Sequence, residues 1–84
     1  MSKRIKDLNE LKELAANDGG VEVFILLTGR LRSSKRLWYH EHDDTWDVYN
    51  EIDDSSQDGL STKDLDKDTM VIEALNGGAL YQYD

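Results

Sequence analysis

Seven consecutive residues, Val21-Glu22-Val23-Phe24-Ile25-Leu26-Leu27, constrain this chain most. Alternate positions on a strand point to opposite faces, and β-branched and aromatic side chains favour that conformation. After Glu22 the apolar residues fall on both faces, so the run reads as a central strand rather than an edge. Thr28-Gly29 ends it. A chain of 84 residues built on such a strand is expected to be one domain, 1–84, because a core of this size does not divide.

The flanking segments supply what the strand packs against. Over residues 3–17, Ile5, Leu8, Leu11 and Ala15 recur at helical spacing, and Asn17-Asp18-Gly19-Gly20 stops the helix. Residues 30–34 read as a loop or bulged connection. Residues 35–42 and 45–52 then read as two strands turning at Asp43-Asp44. A two-residue turn there opposes Arg36 to Glu51, Trp38 to Tyr49 and His40 to Asp47, with Trp46, Val48 and Ile52 toward the core. Residues 53–59 are polar and turn-rich. Ser61 could cap a short helix, with Asp64 in its first turn. Residues 69–75 suggest another helix, ended by Asn76-Gly77-Gly78, and 79–83 a last strand. The expected fold is α+β: a small, mostly antiparallel sheet with helices packed on one face, in the order α-β-β-β-α-β. No repeat, linker or low-complexity tract is apparent. Leu8, Leu11, Phe24, Ile25, Trp46, Val48, Val71 and Leu75 are the expected core.

There is no cysteine, which fits a reducing compartment. The basic N-terminus has no apolar run behind it, and no segment approaches the ~20 apolar residues that span a bilayer. A cytoplasmic, soluble protein is expected. Its charge is segregated: residues 1–40 hold eight Lys/Arg against five Asp/Glu, net +3, and 41–84 hold two against thirteen, net −11. Such asymmetry bears on partners rather than on fold.

Four clusters are candidate sites. Asp54, Ser56 and Asp58 with Gly59 match the start of a calcium loop, but its twelfth position, where a bidentate Glu belongs, is Leu65. His40 and His42 share a strand face and could meet a metal together with Asp44, yet three ligands at a hairpin tip fall short of a closed metal site. No cofactor is expected, and no nucleophile or phosphate-loop motif supports catalysis. The basic stretch Arg30, Arg32, Lys35 and Arg36 suits phosphates, with Trp38 available to stack on a base. The acidic set is larger: Glu41, Asp43, Asp44, Asp47, Glu51, Asp53 and Asp54 place seven carboxylates in fourteen residues. Asp47, Glu51 and Asp53 would form a ladder on one strand face, imitating a row of phosphates.

The segments Arg32-Ser33-Ser34-Lys35, Asn50-Glu51-Ile52-Asp53-Asp54 and Asn76-Gly77-Gly78-Ala79-Leu80-Tyr81 resemble small acidic proteins of phages and mobile elements of Gram-positive bacteria. That resemblance implies an accessory role and carries over no catalytic residue. The leading expectation is a non-enzymatic module whose acidic face engages a basic, nucleic-acid-binding protein. Nucleic-acid binding through the basic stretch and a small metal-binding protein remain the alternatives.

Overall fold

The computed structural model describes residues 3–83, without the side chains of 66–69. Its elements are β1 (Lys3–Arg4), α1 (Leu8–Ala15), β2 (Val21–Leu27), β3 (Arg30–His40), β4 (Thr45–Asn50), β5 (Ser55–Leu60), α2 (Thr62–Thr69), α3 (Val71–Asn76) and β6 (Leu80–Gln82). The fold is α+β, but the order is β-α-β-β-β-β-α-α-β, not the expected one. Six antiparallel strands form one sheet in the order β1-β6-β2-β3-β4-β5. β2 is interior, between β6 and β3. No described helix is long and apolar enough to cross a membrane.

The first helix is shorter than its apolar spacing suggests. Lys3 and Arg4 instead pair with Gln82 and Tyr81, and the Ile5 N–H donates to the Leu80 carbonyl at 3.0 Å. Asp7 then caps α1 by accepting from the Glu10 N–H at 2.8 Å, while the Glu10 carboxylate accepts from the Lys6 N–H at 2.7 Å. These bonds satisfy donors that an unextended helix start leaves open.

Residues 30–34 are strand, not loop. Thr28 and Gly29 both take positive φ, 51° and 75°, the pairing of a two-residue hairpin turn that returns the chain at once. β3 therefore begins at Arg30, and a bulge at Arg32 absorbs a register shift between Ile25 and Leu26. The next hairpin is two residues out of the expected register. Arg36 opposes Tyr49 and Trp38 opposes Asp47, closed by a four-residue loop over 41–44. An even slip keeps every side chain on its own face. A two-residue Asp-Asp turn needs two left-handed residues, whereas this loop needs only Asp44, at φ 55°.

The polar segment after residue 53 is the fifth strand. β5 pairs with β4 along the exposed edge, with Val48 opposite Gln57 and Trp46 opposite Leu60. Ile52 lies in the turn before it and is 61 % exposed, so it is not a core residue.

One hydrophobic cluster joins Leu11 and Ala15 of α1, Leu65 of α2, and Val71, Ala74 and Leu75 of α3 to the sheet residues Val21, Val23, Ile25, Leu37, Trp46, Val48 and Leu80. Leu8 only packs against its margin. Phe24 is half-buried on the opposite face, stacked on Tyr81 at 5.4 Å and tilted against Tyr83 at 4.6 Å.

Candidate binding surfaces

The acidic residues do not form one ladder. Glu41, Asp43 and Asp44 occupy the β3–β4 loop, and Glu51, Asp53 and Asp54 the β4–β5 loop. Successive hairpins turn at opposite ends of a sheet, so the six residues of β4 separate these tips by about 20 Å. Asp47 alone of the seven stands on β4. Asp53 shares no strand face with it, because the strand ends at Asn50.

The tips are two copies of one pattern ten residues apart, a short internal repeat within the two hairpins. Tyr39-His40-Glu41-His42-Asp43-Asp44-Thr45 matches Tyr49-Asn50-Glu51-Ile52-Asp53-Asp54-Ser55 as Tyr-x-Glu-x-Asp-Asp-Ser/Thr. In each, the last Asp takes positive φ, 55° at Asp44 and 59° at Asp54. The Tyr39 hydroxyl donates to Asp44 at 2.6 Å, and the Tyr49 hydroxyl to Asp54. Lys12 adds a 3.8 Å ion pair to Asp44 and lies 5.2 Å from the Tyr39 ring centre. The hydrogen bond to Asp44, then burial and nearby negative charge, push the Tyr39 phenol up to about 12. Its raised pKa favours the neutral phenol in the folded state, so that contribution is present below pH ~10 and lost as pH rises through 12. In an ultraviolet titration Tyr39 should ionise late. Asp44→Asn keeps a residue that tolerates left-handed φ and should return the phenol toward its ordinary range.

Most of the acids already hold local partners. Asp53 accepts from the Ser55 hydroxyl at 2.5 Å and N–H at 3.1 Å, and this hydroxyl bond first lowers its pKa. Burial opposes the charge of Asp47. Hydrogen bonds from His40 at 2.7 Å and from the Gly59 N–H at 3.0 Å outweigh it and hold the carboxyl below its usual value. His42, by contrast, lies in the loop 3.5 Å from Asp43. Among the described residues no three His, Cys, Asp or Glu side chains converge as metal ligands. The segment read against a calcium loop is the extended β5 followed by the start of α2.

The cations are divided as well. Arg30 and Arg32 are exposed at the start of β3. Arg36 lies on the face opposite the core cluster, 3.8 Å from Glu22 and donating to the Gly19 carbonyl at 2.7 Å. Lys35 points the other way and is buried. Four neighbours in sequence thus offer no single phosphate-binding face.

What the sheet does assemble is the face around Arg36. Glu22 opposes Arg36, which opposes Tyr49, and Phe24 opposes Ser34. The Ser34 hydroxyl donates to Glu51 at 3.0 Å and lies 3.3 Å from the Tyr83 hydroxyl. Glu22 of β2 and Glu51 of the β4–β5 loop lie close enough for their carboxyls to interact, and that interaction is the first cause of a raised Glu22 pKa. Burial and the charge of Glu51 add to it, and Arg36 opposes it. Alternation in the sequence places Glu22 and Phe24 on one face, but only the β2–β3–β4 register brings Glu51 to them. No protein-family model, curated protein or solved structure matches the chain.

Proposed function

We propose that the protein is a non-enzymatic binding module that engages a basic protein partner through the sheet face bearing Glu22, Glu51 and Asp47. We also take the three helices to lie over the opposite face, which leaves this one open. The observation that carries the reading is the Glu22–Glu51 carboxyl pair on the sheet face that also bears Phe24, Tyr49 and Tyr83. A partner Lys or Arg placed between the carboxyls relieves their repulsion, and the adjacent ring faces attract the same cation. Arg36 is committed to Glu22 and the Gly19 carbonyl, so it positions the pair without neutralising both members. A nucleic-acid-binding host protein is the class of basic partner that the resemblance to small phage proteins favours. The separated hairpin tips then act by long-range steering rather than as the contact itself.

Capture from a bacterial lysate tests this. Wild type should enrich basic proteins, and the double variant Glu22→Gln with Glu51→Gln should lose them while keeping its fold. Neutralising Asp43 and Asp53 at the tips should slow association and leave the captured set unchanged. A bound cation favours ionised Glu22, so binding should strengthen as pH rises through the raised range of that carboxyl and weaken below it. Identical captures by wild type and the double variant would overturn the reading.

A further inference from the structure

The core side of the sheet holds a lysine with nothing bonded to its charge. Lys35 is 4 % exposed, opposite Val23 on β2 and Asn50 on β4. Among the described residues no hydrogen bond or ion pair reaches its ammonium. Asp53 acts on it only at a distance, and the Asp53 carboxylate is taken by Ser55. Burial pulls the Lys35 pKa down. Among the described residues no fully buried side-chain nitrogen or oxygen lacks a partner. The partnerless Nζ is therefore the part of Lys35 that meets open space.

That space is a groove of about 460 Å³. It is lined by Arg32, Ser33 and Lys35 of β3 with Asn50 of β4, and by Ile25 and Leu27 of β2 with Met70. The same three apolar residues line a hollow of about 110 Å³ that runs on past Ala74, Gly77 and Ala79, with Glu73 its one charged wall residue. Leu27 and Met70 are 38 % and 48 % exposed, large apolar side chains at the groove. Lys35 also borders a polar hollow of about 300 Å³, but Asp53 lines that one and repels an anion.

We propose that this groove binds an amphiphilic organic anion, its carboxylate on Lys35 and Arg32 and its aliphatic tail along Ile25, Leu27 and Met70. The Lys35 stem is buried and its ammonium opens into the groove, so the charge is partly desolvated, and an anion seated there pairs it where an apolar group does not. Ser33 and Asn50 supply the neutral donors that fix the head group. The groove lies within the usual range of small-ligand pockets and has room for a chain of about six to eight carbons. It lies across the sheet from Glu22 and Glu51, so it stands or falls independently of the partner-binding face.

Octanoate is the probe, titrated into the full chain and followed by NMR chemical shifts. Saturable shifts at Lys35, Asn50, Ile25 and Met70 are expected, with a dissociation constant of about 1 mM or tighter. Octanol and inorganic phosphate each satisfy half of the groove and should bind about tenfold more weakly or worse. Lys35→Met should raise the thermal midpoint, by replacing a charge that the fold partly desolvates, and weaken octanoate about tenfold or more. The exposed Arg32→Gln should weaken it less and leave the midpoint unchanged. Absence of saturable shifts at these residues, phosphate binding as tight as octanoate, or undiminished binding by the stabilised Lys35→Met variant would overturn the proposal.

Discussion

Replacing Trp46 with alanine should leave the protein unfolded or barely folded at room temperature. The indole is 0 % exposed, its ring lies 4.7 Å from that of Tyr39, and its N–H donates to the Thr62 hydroxyl at 2.9 Å. It therefore ties β4 to β3 and to the start of α2. Truncating a buried aromatic costs about 3–5 kcal/mol. At ~0.05–0.15 kcal/mol per residue, a chain of this length has roughly 4–13 kcal/mol to lose. A urea midpoint lower by about 2 M or more is the expected reading. Trp46→Phe keeps most of the ring and loses the hydrogen bond, so its effect should be well under half as large. Trp38→Ala, on the half-buried opposite face, is the control. A Trp46→Ala midpoint no lower than that of Trp38→Ala would show that the indole does not tie these elements together.

Gly20→Ala should be the most damaging change of a single methyl. Gly20 turns the chain from α1 into β2 at φ 68°, a region that costs an L-residue about 1–2 kcal/mol. A Cβ there would also overlap the Leu37 carbonyl oxygen and stand 2.9 Å from Trp38 Cδ1. Backbone must shift to admit it, which typically adds about 1–3 kcal/mol. Gly29 has a similar φ, 75°, but nothing within 4 Å of the corresponding position. Gly29→Ala should show the conformational cost alone, about half the total. Equal thermal midpoints for the two variants would mean that close approach at Gly20 contributes nothing.

These two positions separate what local chemistry announces from what only contact decides. Gly20 is visible in the sequence as a helix stop, yet its intolerance of a methyl comes from Leu37 and Trp38, more than fifteen residues away. Among the acids, composition shows seven carboxylates in a short stretch. Their division into two tips follows from the four-residue loops, whose left-handed Asp44 and Asp54 no hydrophobic pattern encodes. The Tyr-x-Glu-x-Asp-Asp repeat was readable and is the signal from which both loops follow. Glu22 and Glu51 are 29 positions apart, and only strand register makes them a pair.

By itself the sequence determined the interior strand β2, the core face of α1 from Leu11 and Ala15, the hairpin between β3 and β4 with Trp46 and Val48 but not Ile52 on its core face, and the glycine stops. Each of these has a local physical signature: alternation, helical spacing, or a residue that tolerates positive φ. Tertiary structure alone decided the edges, the register and the fate of Lys35. Edge strands β1 and β5 are held by backbone hydrogen bonds that any side chain permits, so their two basic and six mostly polar residues leave no pattern to read. Register slips by an even number preserve every face, and loop conformation, not hydrophobicity, chooses among them. Lys35 is buried because β3 alternates from Ser33 onward, after the bulge at Arg32, and so puts Lys35 on the same face as Leu37. A lysine at such a position reads as solvent-facing until the neighbouring strands enclose it.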